Sequence, residues 1–207
     1  MELFPQEVLS LLDADTIHRA LGLLGGRLQL QMSSPIALVV CGGSSLIVWG
    51  VVSRVTRDVD VVAIGQPRKD GKLDIIPASP LPDGVIAAAS QVARDLGLDE
   101  HWLNPGPSDL MKVGLPTGYL DRAKKCEYGI LTVYFLGRYD QIHLKVYAAV
   151  DSGPGRHVED LLALKPTEQE MELAARWAIT QDPSEDFCNI LKDMLRKLKY
   201  ESVAEKV

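Results

Sequence analysis

The chain has 207 residues, 46% of them hydrophobic and 24% charged, enough for one substantial domain or one domain with a small helical appendage. That balance excludes a disordered, collagen-like or coiled-coil protein, and a net charge of -6 excludes a generic nucleic-acid binder held by bulk positive charge. The longest apolar run, Ile36 to Cys41, is far shorter than the roughly 20 residues a bilayer-spanning helix needs, so no membrane partner is expected.

In chain order, residues 5–29 read as two short helices broken near Asp13 to Asp15, with Asp15 as N-cap and Ile17, Leu21 and Leu24 on one stripe. Gly25-Gly26 weakens the end of the second. Ile36 to Val40 is continuously apolar, as a central strand is, and it stops at Gly42-Gly43. Ser44 to Gly50 reads as a short helix and Val55 to Ile64 as a second buried strand. Residues 69–72 form a turn, and Leu73 to Ile76 a short strand. Val85, Ala88, Ala89, Val92 and Leu96 recur at helical spacing between Pro82 and Leu98. The Pro- and Gly-rich stretch from His101 to Gly118 is long for an idle connection, and its ends carry Trp102 and Tyr119. Leu120 to Tyr128 and Ile130 to Leu136 read as strands around Gly129.

The remainder is helical: Asp140 to Val150, then Arg156 to Lys165 after Gly153-Pro154-Gly155. Thr167 with Glu170, and Asp182 with Glu185, fit capping boxes, with Pro183 in a first turn. Phe187, Ile190, Leu191, Met194, Leu195 and Leu198 share the stripe of the last helix. The order predicts an α+β fold: a mixed β-sheet flanked by helices with an all-helical C-terminal part. Residues 1–137 are expected to form the core with N-terminal helices, and 138–207 the helical part packed on it. Glu2 stands where a secretory leader carries positive charge, and Cys41, Cys126 and Cys188 show neither pairing nor zinc spacing. A cytoplasmic protein with free thiols is the expectation.

The chemistry concentrates between Cys41 and Val62. Gly42 and Gly43 after a buried strand let the backbone turn tightly, and a helix start behind them favours an anion such as phosphate. Ser44 adds a hydroxyl donor. Neither a G-x-G-x-x-G loop nor the Lys-Ser/Thr pair of a P-loop is present. Asp58 and Asp60, two apart on a strand, project from one face, while Val59 and Val61 point the other way. Two carboxylates on one face repel unless a cation lies between them, and Mg²⁺ or Mn²⁺ is the fitting hard ion. The alternative is a surface pair bridged by Arg54 or Arg57.

Taken together, these residues resemble the signature of the polymerase-β-type nucleotidyltransferase superfamily: Gly-Gly/Ser, a short helix, then Asp-hydrophobic-Asp. The Arg54, Thr56, Asp58 and Asp60 spacing is most similar to its AbiEii-type branch, whose members include abortive-infection toxins. The resemblance implies a nucleotidyltransferase-like fold, Mg²⁺ on the two aspartates, and an NTP triphosphate bound at Gly42, Gly43 and Ser44. It also implies a helical lysine and an aspartate on the next helix, matched by Lys145 and Asp160. By its own context, Lys145 among Ile142, Leu144, Val146, Ala148 and Ala149 either snorkels to water or meets an anion. Asp160 has the simpler reading of an i,i+4 partner for Arg156, and His143 and His157 that of surface histidines. Many superfamily members carry a third carboxylate on a later strand; Asp74, Asp121 and Glu127 are candidates here.

The expected activity is Mg²⁺-dependent transfer of an NMP from an NTP to a hydroxyl of RNA, protein or a small molecule. Asp58 and Asp60 would hold the metal; Gly43, Ser44, Arg54, Arg57 and Lys145 would offset phosphate charge. The 101–118 segment would serve as a lid or base-stacking surface. A toxin role with a cognate antitoxin follows from the resemblance. The alternative is a non-catalytic nucleotide- or partner-binding protein on the same scaffold.

Overall fold

The computed structural model describes residues 10–31, 34–68, 70 and 72–207. Part of the first expected helix (residues 5–9), and Lys69 and Gly71 of the expected turn, lie outside the described residues. The chain divides into two compact units: the described residues up to Lys112 with Lys124–Phe135, and Val113–Ala123 with Leu136–Val207.

The first unit is built on β1 (Ile36–Cys41), buried along its whole length. A strand apolar on both faces must be covered on both, and β1 is central. It pairs antiparallel with β2 (Val59–Pro67) and parallel with β6 (Leu131–Phe135). Outside these lie β3 (Leu73–Pro77) on β2 and β5 (Lys124–Tyr128) on β6, giving the order β3-β2-β1-β6-β5. A two-residue strand, β4 (Leu103–Asn104), pairs parallel with β2. The expected mixed sheet flanked by helices is therefore what the chain forms.

Three helices accompany the sheet: α1 (Ala14–Gln31), α2 (Gly42–Val48) and α3 (Asp83–Leu96). Ile17, Leu21 and Leu24 of α1 and Val85, Ala88 and Val92 of α3 are fully buried, as their spacing predicts. Asp13, not Asp15, caps α1, its Oδ1 accepting from Thr16 N at 2.8 Å. Residues 10–13 are not helical. The helix also runs through Gly25-Gly26 to Gln31; Gly25 serves its packing, since a Cβ there would overlap the Tyr128 carbonyl. The second strand starts at Val59, four residues later than its apolar run suggests. Before it, Thr56 forms an isolated bridge to Leu12, with backbone hydrogen bonds of 2.8 and 2.9 Å.

The 101–118 stretch contains β4, a 3₁₀ turn (Gly106–Asp109) and α4 (Leu110–Val113). Trp102 is no stacking surface: it is fully buried and donates its indole N–H to Ala89 O at 3.0 Å.

The second unit holds α5 (Tyr119–Arg122), α6 (Arg138–Asp151), α7 (Gly155–Ala163), α8 (Glu168–Gln181), α9 (Glu185–Lys197) and α10 (Glu201–Ala204). Residues 120–122 are thus helical where a strand was expected. Helix α6 packs against α7, α8 and α9. The Thr167–Glu170 capping box of α8 forms as predicted. For α9 the cap is Ser184, whose hydroxyl accepts from Phe187 N at 3.3 Å, so Pro183 precedes the cap. Asp182 instead turns the chain into it, accepting from Ser184 N. Among the described residues, no helix is long and apolar enough to cross a membrane.

Candidate functional site

Two strand pairings place Asp60, while Asp58, expected on the same strand, lies one residue before β2 begins. On one edge of β2, antiparallel β1 sets Cys41 opposite Asp60, just past a register shift at Val39/Val40. Such irregularities re-aim side chains near functional positions. On the other edge, parallel β4 sets Asn104 opposite Asp60. Asp60 is thus flanked by the start of α2 and by an asparagine amide.

Gly42 opens α2 with φ +68°, a left-handed conformation glycine adopts without penalty. A Cβ there would overlap the Asp60 carboxylate. Gly43, which is buried, lets a second group approach. A Cβ on it would stand 3.1 and 3.3 Å from the two terminal nitrogens of Arg54 and 3.4 Å from Thr56 Oγ1. The glycine pair therefore brings a carboxylate and a guanidinium onto one turn. The N-cap residue Cys41 makes no side-chain cap hydrogen bond. Ser44 departs from expectation. It is fully buried, and its hydroxyl donates to Cys41 O at 3.3 Å, so it points into the fold and not toward a phosphate.

Asp58 and Asp60 are half-buried, with Val59 and Val61 fully buried between and beyond them, as the strand alternation predicts. Their carboxylates converge on a single atom. Asn104 Nδ2 donates to Asp58 Oδ2 at 3.2 Å and to Asp60 Oδ1 at 3.0 Å. Thr56 Oγ1 donates to Asp58 Oδ1 at 3.3 Å. Two carboxylates drawn onto one amide donor bring carboxylate oxygens together, the ligand type that a hard divalent cation takes. Arg57 is exposed.

Among the described residues, no group of three or more Asp, Glu, His or Cys side chains is placed to hold a metal. Of the expected third acids, Asp74 is exposed on β3. Glu127 on β5 is ion-paired with Lys125 at 2.6 Å, and Asp121 belongs to the second unit. Asn104 was missed by sequence reasoning. Its segment stands out by length alone, and a two-residue strand carries no periodicity that could align it with Asp60.

In the second unit, Lys145 is 7% exposed and donates to Asp160 Oδ2 at 2.7 Å, with Asp160 2% exposed. Lys145 meets an anion and does not snorkel; this buried Asp160 contact, 15 residues apart in sequence, is a different bond from the expected i,i+4 pair with Arg156. His157 lies nearby, and burial, then the Lys145 charge, lowers its pKa. His143 is buried, not at the surface: Nδ1 lies 2.8 Å from Tyr139 O, its ring packs against Tyr139 and Trp177, and burial lowers its pKa. A second ion pair went unforeseen. Arg122 donates to fully buried Asp140 at 2.6 Å while its guanidinium stacks over Tyr139, tying α5 to α6.

In comparison with known proteins, residues 26–162 fit the model of a family described as "Nucleotidyltransferase of unknown function (DUF6036)". No curated protein and no solved structure matches the chain.

Proposed function

The chain belongs to this nucleotidyltransferase family, and from that membership we propose that it moves an NMP from an NTP to a hydroxyl acceptor on RNA, protein or a small molecule, in a Mg²⁺-dependent reaction. The observation that carries the proposal is the convergence of Asp58 and Asp60 beside the Gly42 turn. Asp58 and Asp60 are the residues that would hold the cation. When bound, Mg²⁺ (or Mn²⁺) would neutralise charge on the triphosphate and on the departing pyrophosphate.

The protein's own groups divide the remaining work. Backbone N–H groups at Gly42 and Gly43, where α2 begins, are the donors that would meet a phosphate. Arg54, lying against Gly43, adds fixed positive charge on the same turn. Arg57 is the more exposed reserve of charge. The closer likeness, to the AbiEii-type branch, is supported by Lys145 and Asp160, a helical lysine and an aspartate on the next helix that form a buried pair. We include that branch, with its lysine and aspartate, in the proposal.

An amide, Asn104, and no third acid among the described residues beside Asp58 and Asp60 favours a second reading: a protein that binds nucleotide without turning it over. Thermal melting with Mg²⁺ and each NTP, followed by transfer from labelled NTP, separates the two. At ligand 100-fold above Kd, binding stabilises the fold by about 2.7 kcal/mol. Asp58→Asn and Asp60→Asn should remove both the melting shift and the transfer. A wild-type melting temperature unmoved by millimolar Mg²⁺ and NTP would sink both readings, whereas a shift without transfer would leave only the second.

A further inference from the structure

Asn104 has every reason to hold one orientation. Each hydrogen of its amide goes to a different carboxylate, and its Oδ1 accepts from Gly106 N at 2.9 Å. Turned the other way, Oδ1 would face two anions and be repelled by both. A neutral donor shared by two carboxylates fixes their spacing and occupies one oxygen of each, Asp58 Oδ2 and Asp60 Oδ1. The other two oxygens point elsewhere: Asp58 Oδ1 toward Thr56, and Asp60 Oδ2 toward Gly42. Since β4 and β1 lie on opposite edges of β2, the amide grips the pair from the side away from the glycine turn.

We propose that Asn104 is the positioning residue of the metal site, clamping Asp58 and Asp60 through one oxygen each so that Asp58 Oδ1 and Asp60 Oδ2 face the cation. The clamp rests on the reading of the two aspartates as metal ligands. Carboxylates that ligate metals are themselves held by hydrogen bonds, and losing such a partner typically weakens binding 10- to 100-fold. The amide is chemically suited where a third carboxylate is not, because an acceptor-only group cannot donate to either aspartate.

The test titrates Mn²⁺ into the full chain, reading free Mn²⁺ by electron paramagnetic resonance, for wild type, Asn104→Ala and the near-isosteric Asn104→Leu. Both variants should bind Mn²⁺ about 10- to 100-fold more weakly, with melting temperature in chelator as the control for folding. In parallel, the Asn104 side-chain amide resonances of the wild type should stay at hydrogen-bonded positions when Mg²⁺ saturates the site. Well-folded variants with wild-type affinity would overturn the clamp, and so would amide signals released on adding Mg²⁺, which would make Asn104 a displaced placeholder. The resonance experiment decides even if both variants fold poorly. A wild type that takes up no Mn²⁺ would instead refute the functional reading, and the clamp with it.

Discussion

Replacing Gly42 by alanine isolates how the backbone of one turn serves the acidic pair. An L-residue in the left-handed region costs roughly 1–2 kcal/mol, and Gly42 has φ +68°. Gly50, at φ +69°, is a built-in control: the backbone cost is the same, yet a Cβ there meets nothing within 4 Å. Gly50→Ala should therefore lose about 1–2 kcal/mol, or roughly 2–8 °C in Tm for a chain of this size. Gly42→Ala carries that cost and a second one, because its Cβ collides with the Asp60 carboxylate. Relief requires Asp60 to rotate away from Asn104, giving up a hydrogen bond to a charged group worth about 1.5–3 kcal/mol, at the lower end here because Asp60 is half-buried. A total near 3 kcal/mol is expected. Calorimetry in chelator measures both variants, and Mn²⁺ titration shows whether the carboxylate has moved. Gly42→Ala should bind Mn²⁺ more weakly than Gly50→Ala, which should match wild type. Equal melting of the two variants with equal Mn²⁺ affinity would refute the reasoning.

In the second unit, Asp160→Ala leaves the Lys145 ammonium buried without its partner and should cost about 3–5 kcal/mol. Lys145→Met with Asp160→Leu should recover much of that loss in urea unfolding, and a double variant as unstable as the single one would count against the pair. Glu170 is held down to about 2, first by the Arg138 guanidinium, against an ordinary value of 4.5. A carboxylate depressed in the folded state adds stability that is full above pH 4.5 and is lost as pH falls through 4.5 toward 2. Glu170→Gln should therefore flatten the acid limb of stability against pH in that window, and an unchanged limb would contradict it. At α9, Ser184→Ala should cost about 1 kcal/mol, while Glu185→Ala should cost little, since Ser184 and not an Asp182–Glu185 box supplies the cap. Chemical denaturation of the two variants reads the difference, and a larger loss from Glu185→Ala would restore the box.

The sequence determined what depends on neighbours along the chain. Six consecutive apolar residues, Ile36–Cys41, made a central strand inevitable, and a period of 3.6 laid out α1 and α3. The alternation of Asp58, Val59, Asp60 and Val61 settled which side chains share a face. The Gly42-Gly43 turn was legible for the same reason, since its conformational demand is local. Boundaries were harder where long-range pairing overrode the local pattern. Thr56 bonds to Leu12 and delays β2, and residues 120–122 form a helical turn instead of extending.

Tertiary structure alone decided who stands opposite whom. Asn104 reaches Asp58 and Asp60 across 46 and 44 positions in the chain, through a parallel pairing of two residues. Ser44 is withdrawn from the turn by a carbonyl three residues back, and Lys145 chooses Asp160 over water. Propensity and periodicity act within a few residues, whereas the partner of a buried charge is set by which strands and helices pack together.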